Sequence, residues 1–315
     1  MKRHTLLAFR NLPPHLAKRV SAEFDVQSWD RSERSLAAAS QGMAAILIAP
    51  AIRLDAATIA ALAPSVRVIG TFSVGFDHID VEAARRRGIA VVNTPGVLSE
   101  ATAEFTMLLL LSAARRAGEA ERRLRAGGWL GPSPEQFQGV QVSGKTLGIF
   151  GMGRIGQALA GMARGFGMAV HYRNRTRLAD SLEQGATYHA ADQSFLAESH
   201  FLAICAPASA ETHRWLNADR IAMLPPGAIV VNTARGSLVD DAALIAALRN
   251  GHVRGAGLDV FPNEPRVPED YLALENVVLT PHIASATDEA RRGMADLVLD
   301  GILAVLAGAL PANRL

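Results

Sequence analysis

Residues 145–176 read KTLGIFGMGRIGQALAGMARGFGMAVHYRNRT. An apolar run, 146–150, leads into Gly151, Gly153 and Gly156, and then into a segment with Ile155, Leu159, Met162 and Phe166 at helical spacing. A second apolar run, 169–172, closes a strand–turn–helix–strand unit of the length expected for a dinucleotide site. Each glycine has a physical reason to be there. Gly151 allows a tight turn, Gly153 lets the backbone approach a pyrophosphate, and Gly156 lets the helix pack close to the strand. The helix start then offers free N–H groups and a positive dipole end to phosphate.

The end of the second strand reads Tyr172, Arg173, Asn174, Arg175, Thr176, Arg177. A unit specific for NAD usually carries an Asp or Glu there, to accept hydrogen bonds from the ribose hydroxyls. Here there is no carboxylate, and there are three arginines. A carboxylate would repel a 2′-phosphate, whereas guanidinium groups grip one through charge-assisted, bidentate hydrogen bonds. NADP(H) is therefore the expected cofactor, with NAD(H) as the possible second choice.

At 315 residues the chain is expected to hold two domains. Its net charge of +2 and the lack of any long Lys/Arg run speak against a nucleic-acid partner. A single cysteine, Cys205 in an apolar run, rules out an intramolecular disulfide framework and speaks against a structural Cys-rich zinc site; no metal is expected. The N-terminal MKRHTLLAFRNLPP has too short an apolar run for a signal peptide, and the greasiest stretch, 105–111, is far short of a bilayer span. A soluble, cytoplasmic protein with no membrane partner is the expectation.

Around the glycine unit the rest of the chain alternates in the same way. Segments 5–9, 45–49, 66–72 and 89–92 read as strands, with 24–26 a weaker candidate, and 14–21, 56–63 and 81–87 read as short helices. Beyond Arg177, strands are expected at 186–189, 201–206, 228–233, 254–260 and 276–280, with helices at 218–223 and 241–250. Such alternation argues for parallel sheets covered on both faces. Residues 99–125 read as one long helix, apolar enough to be buried between domains or subunits. A last helix is expected over 287–308.

Three residues lie at or just past predicted strand ends after the glycine unit: Arg235 in VNTARGS, Glu264 in FPNEP and His282 in LTPHIAS. Reduction of a 2-keto acid needs a cation to hold the carboxylate and an acid to protonate the carbonyl oxygen. An arginine fork supplies the first. A histidine, with a reference pKa near neutrality, supplies the second. A carboxylate such as Glu264 would hold the ring and favour its protonated form. In the first domain, the loop SVGFDHID places Gly75 where its N–H could meet a ligand carboxylate, while Asp77 and Asp80 are better read as caps of the following helix.

GMGRIG, NTARG, GLDVF, NEP and TPH, in this order, resemble the D-isomer-specific 2-hydroxyacid dehydrogenases, and SVGFDHID and ATAEF are similar to that family's first domain. The likeness runs over nearly the whole chain and is strongest to the glyoxylate/hydroxypyruvate reductase branch. It implies an α/β protein of two Rossmann-like, doubly wound parallel-sheet domains with an interdomain cleft: a substrate domain of 1–99 plus 286–315, and a dinucleotide-binding domain of 100–285. It implies a homodimer acting on a small 2-keto or 2-hydroxy acid. Arg235 would anchor the substrate carboxylate together with Val74 and Gly75, His282 would be the proton donor, and Glu264 its orienting partner. Arg154 and Ile155 would join Gly151, Gly153 and Gly156 at the pyrophosphate, and Asn174, Arg175 and Thr176 would meet the ribose phosphate. Thr102, Pro207, Thr233 and Asp259 would contact other parts of the cofactor. Two further readings remain open here: an NAD-linked dehydrogenase of the phosphoglycerate type, against which the missing carboxylate near Asn174 argues, and a non-enzymatic, cofactor-sensing protein like certain corepressors. Turnover of a keto acid separates the last from the others.

Overall fold

A computed structural model of the chain describes residues 3–30, 32, 34–133 and 135–315; Met1 and Lys2 of the N-terminal segment lie outside the described residues. The chain divides into two compact units, one of Met1–Leu98 with Ala286–Leu315, the other of Ser99–Ser285.

The first unit is built on β1 (His4–Phe9), β2 (Phe24–Trp29), β3 (Ala45–Ile48), β4 (Val68–Thr71) and β5 (Ala90–Val92), interleaved with α1 (Pro14–Glu23), α2 (Leu36–Ala39), α3 (Ala56–Ala61) and α4 (Val81–Arg86). The sheet is parallel throughout, in the order β2-β1-β3-β4-β5. Both β3 and β4 are buried along their whole length, as strands between helical layers should be. The edge strand β2 is longer than its apolar residues suggest: it pairs with β1 from Phe24 to Trp29, but only those two ends are buried. Polar residues on an edge are a common guard against mispairing, and they hide the strand from a reading based on hydrophobicity. The chain's last helix, Asp288–Leu306, returns to this unit. A Cβ on Gly70 of β4 would lie 2.6 Å from Ile302 Cδ1, so the helix sits directly on the strand.

The second unit contains β6 (Thr146–Phe150), β7 (Ala169–Arg173), β8 (Thr187–Tyr188), β9 (Phe201–Ile204), β10 (Ala228–Asn232), β11 (Val253–Leu258) and β12 (Val277–Leu279). Its helices are α5 (Ser99–Ala114), α6 (Ala117–Arg125), α7 (Arg154–Gly165), α8 (Asp180–Glu183), α9 (Asp192–Ala197), α10 (Ala218–Ala222), α11 (Asp241–Arg249) and α12 (Glu269–Leu272). The seven parallel strands run β12-β11-β10-β9-β6-β7-β8. Residues of β9 alternate between the two layers of core, Leu202 and Ile204 on one face, Phe201 and Ala203 on the other. From β6 the chain winds outward to β8, then returns to β9 on the other flank of β6. The C-terminal edge between β6 and β9 is therefore a topological switch point, the place where such sheets bind ligands.

The expected single helix over 99–125 is in fact two. Arg116 breaks it with a left-handed φ of 54°. The cause is tertiary: the Val140 N–H donates to Ala114 O at 2.8 Å, and Gly139 approaches so closely that a Cβ would lie 2.5 Å from the same oxygen. The carbonyl that would continue the helix is thus taken by a returning strand of chain. Arg116 then pairs in a bidentate fork with Glu119, at 2.6 and 2.7 Å. On the near side of the break α5 is largely buried, its Leu109 packed against Gly257 of β11; on the far side α6 buries none of its residues.

Candidate active site

The glycine turn has the geometry its sequence demands. Gly151 has a φ of 93°, and a Cβ there would stand 2.5 Å from the backbone of Ala206. A Cβ on Gly156 would lie 2.8 Å from Gly151 O and 3.1 Å from Ile149 Cγ2, so only glycine lets α7 settle against β6. Gly153 differs: its Cβ position meets nothing within 4 Å. It is the N-cap of α7 and no side chain caps that helix, so the N–H groups of Arg154 and Ile155 at its first turn are available to an anion. An open glycine before an uncapped helix fits a dinucleotide pyrophosphate.

At the end of β7 the three arginines separate. The Arg173 Nε donates to Asp192 Oδ1 at 3.1 Å, and Arg177 makes a two-pronged pair with Glu183 at 2.8 and 2.9 Å. That guanidinium, followed by the Tyr172 hydroxyl, holds the Glu183 carboxyl down at about 2, so this pair is committed to the fold. Arg175 is exposed and makes no hydrogen bond or ion pair among the described residues. The side chain of Asn174 turns back, its Oδ1 accepting from Met152 N at 2.7 Å, and so ties this loop to the glycine turn.

Across the same edge of the sheet, His282 follows β12 and Glu264 follows β11. The two meet: His282 Nδ1 lies 2.7 Å from Glu264 Oε2. Glu264 Oε1 accepts from Phe261 N at 3.0 Å. Burial raises the Glu264 carboxyl, but the bonds from His282 and Phe261 and the charges of His282 and Arg235 outweigh it and leave it below the ordinary range. An ionised carboxylate only accepts, so Nδ1 must be the donor, and Nε2 is the atom left to exchange a proton with a ligand. Arg235, just past β10, is half-buried, and its Nη1 donates to Ala234 O at 2.8 Å.

Other expected contacts fall on the same strand ends. Pro207 follows β9 and is exposed, its carbonyl accepting from Thr212 Oγ1. Thr233 follows β10, and its hydroxyl lies 2.7 Å from that of Thr106, which donates to Thr102 O on α5. In the first unit, Val74 O accepts from Asn93 Nδ2 and Gly75 O from Ser73 Oγ, at 2.8 and 2.7 Å. Neither residue's N–H donates a hydrogen bond among the described residues, so carbonyls are anchored while amides stay available. Asp80 caps α4 through Ala83 N at 2.8 Å.

The positioning roles of three residues escaped the sequence reading. Asp259, expected at the cofactor, has a fully buried carboxylate that accepts from Thr280 Oγ1, Ile283 N and Ala284 N at 2.6, 2.9 and 2.8 Å, while its carbonyl accepts from His282 N at 2.8 Å. This clamp holds His282 at a left-handed φ of 55°. Asn232 braces the Arg235 turn from both sides, donating to Arg235 O and accepting from Ala234 N at 2.9 and 3.0 Å. An acid and an amide ending apolar strands were the available signals, since each must find partners when buried. The third is Gly236, where a Cβ would fall 2.1 Å from Phe261 C and 2.3 Å from Pro262 N. Gly236→Ala must push the Arg235 turn away from the segment carrying Glu264. It is expected to destabilise the protein by about 1–3 kcal/mol in denaturant titration; a loss within 0.5 kcal/mol, on the order of an ordinary surface change, would contradict this packing.

A parallel sheet with a glycine-rich phosphate turn at its switch point, and an ionised carboxylate holding a histidine beside an arginine at the same edge, defines a dinucleotide-dependent oxidoreductase. Residues 107–284 match the family model for the D-isomer specific 2-hydroxyacid dehydrogenase, NAD binding domain. The chain belongs to the D-isomer specific 2-hydroxyacid dehydrogenase family. It is 41% identical over 315 residues to the glyoxylate reductase of Thermococcus onnurineus, covering 97% of this chain and 94% of that one. With the glyoxylate reductase of Thermococcus litoralis it shares 46% over 255 residues, 80% of this chain and 77% of the relative. Among solved structures, the NADPH-dependent glyoxylate/hydroxypyruvate reductase from Sinorhizobium meliloti, in complex with NADP and malonate, superposes with a TM-score of 0.88 at 36% identity, over 100% of this chain and 97% of that one. Among the described residues no helix is long and apolar enough to cross a membrane.

Proposed function

We propose that the protein uses NADPH to reduce glyoxylate to glycolate and hydroxypyruvate to the corresponding D-2-hydroxy acid, His282 serving as proton donor. The observation that carries this reading is the 2.7 Å bond between His282 Nδ1 and Glu264 Oε2, which leaves Nε2 as the acid. Bound nicotinamide supplies the hydride. Arg235 grips the substrate carboxylate in a bidentate fork; Val74 and Gly75, in the first unit, remain assigned to the substrate. His282 gives its Nε2 proton to the keto oxygen as negative charge develops there, and takes it back when the hydroxy acid is oxidised. Glu264 stabilises the imidazolium before transfer and keeps the ring in its donating orientation after it. Thr102, Pro207, Thr233 and Asp259 remain assigned to the cofactor's surroundings, Asp259 also through its hold on the His282 loop. The homodimeric and cytoplasmic state implied by the family likeness belongs to the same reading.

Preference for NADPH rests on Arg175, the exposed guanidinium at a β7 end that lacks a carboxylate. The Sinorhizobium meliloti enzyme, NADPH-dependent and solved with NADP, agrees. Absorbance assays with NADPH and NADH against glyoxylate, hydroxypyruvate, pyruvate and phenylpyruvate test the assignment; fast NADPH oxidation with the small acids is expected. Silence with every acceptor despite cofactor binding would transfer the case to a cofactor sensor. Arg175→Ala is expected to raise KM for NADPH about tenfold or more, since a charge-assisted hydrogen bond contributes about 1.5–3 kcal/mol and 1.4 kcal/mol is tenfold. KM for NADH should move less than about twofold, because the ribose hydroxyl carries no charge for the guanidinium to meet. Equal losses with both cofactors would remove Arg175 from phosphate recognition.

A further inference from the structure

We propose a divalent transition-metal site, separate from the catalytic residues, at the outer edge of the second unit's sheet, with His171, His189 and Glu198 as ligands. His171 lies on β7, His189 just past the edge strand β8, and Glu198 at the end of α9. His171 Nδ1 is 3.0 Å from His189 Nε2 and 3.3 Å from Glu198 Oε2, and the three ligand atoms lie within 4.8 Å of one another. Donors bound tetrahedrally at about 2.0–2.1 Å are about 3.3–3.4 Å apart, so the three need only small movements to share one ion.

The proton arrangement favours a metal. Ser194 Oγ donates to Ala191 O at 3.2 Å, which leaves it to accept from His189 Nδ1 at 3.1 Å. That bond places the His189 proton on Nδ1 and presents the Nε2 lone pair to His171, just as a hydrogen bond to the far ring nitrogen fixes the tautomer of a metal-bound histidine. Without an ion, the His171 Nδ1 proton is what bridges to His189 and Glu198; a cation takes its place. His189 is buried and His171 nearly so, while Glu198 is exposed and provides both a route in and an open fourth position for water. Two imidazoles and one carboxylate suit borderline ions, Zn²⁺ above all, with Ni²⁺ and Cu²⁺ as competitors. The scarcity of cysteine argued only against thiolate-rich zinc sites and does not bear on this donor set.

Such an ion would join β7, the loop after β8 and the end of α9, three segments held at the sheet edge by the two-residue strand β8. Isothermal titration of tag-free, chelator-treated protein with ZnCl₂ tests the proposal, alongside melting curves with and without the metal. One equivalent of zinc per chain is expected, with a melting temperature raised by several degrees at saturation. Loss of a group that only hydrogen-bonds to a ligand weakens metal sites about 10–100-fold, so Glu198→Gln, a surface change, is expected to weaken binding at least that much and leave NADPH-dependent turnover without zinc unchanged. His171→Gln should abolish the stoichiometric binding, with cofactor titration as the check that it folds. No zinc binding by the wild type, or binding that survives in Glu198→Gln, overturns the site; survival there would place the ion elsewhere, for example at His282.

Discussion

Replacing His282 with glutamine is expected to lower kcat for keto-acid reduction by about 10²–10⁴-fold, the usual contribution of a positioned general acid. Glutamine is chosen because its amide still donates to Glu264 Oε2, as His282 Nδ1 does at 2.7 Å, and so keeps the contact while removing the exchangeable proton. Cofactor binding, followed by fluorescence titration, should change little, because the glycine turn and the β7 end contribute no atom to this contact. Single-turnover measurement separates the chemical step from product release. Glu264 acts through His282, so the double variant with Glu264→Gln should be no slower than His282→Gln alone, the non-additivity of groups that work as one unit. A glutamine variant retaining more than about a tenth of the wild-type kcat would remove His282 from proton transfer, since it falls below the range of general acid catalysis.

The parts of this molecule legible in its sequence are those whose causes are local. β6, the glycine turn, α7 and β7 follow from short-range periodicity and from backbone conformations that only glycine adopts easily, as Gly151 shows with its φ of 93°. His282, Glu264 and Arg235 could be placed at strand ends, but their meeting depends on how β10, β11 and β12 pair, which no local pattern encodes. The arginines after β7 show the limit most clearly. Sequence offers three equivalent guanidinium groups; the fold commits Arg173 to Asp192 and Arg177 to Glu183, and leaves Arg175. Which one remains depends on acids contributed by α8 and α9, short helices that hydrophobic patterning did not reveal. The break at Arg116 has the same origin, because the segment is helical by propensity on both sides and is interrupted where Gly139 and the Val140 N–H return to the Ala114 carbonyl.

Arg235 gives the second large effect, and charge and geometry can be separated there. Arg235→Gln removes both the cation and the fork, and kcat/KM is expected to fall roughly 30- to 4,000-fold, in line with the 2–5 kcal/mol lost when a charged, hydrogen-bonded pair is broken. Arg235→Lys keeps the charge but cannot present two parallel donors to a carboxylate, so it should recover only part of this loss, mainly in KM. The pH profile distinguishes the two variants further. Burial raises the Glu264 carboxyl; the His282 bond, the Phe261 N–H and the charges of His282 and Arg235 lower it, for a net depression. A depressed carboxylate contributes its interaction fully above its unfolded pKa and loses it as pH falls through the folded pKa. Without the Arg235 charge the folded pKa rises, so the dyad should fail at a higher pH in Arg235→Gln, and the acid limb of the kcat profile should move upward. In Arg235→Lys that limb should stay near its wild-type position. If both variants shift the limb equally, the charge of Arg235 is not what Glu264 feels, and the coupling between carboxylate anchor and proton donor drawn from this site is wrong.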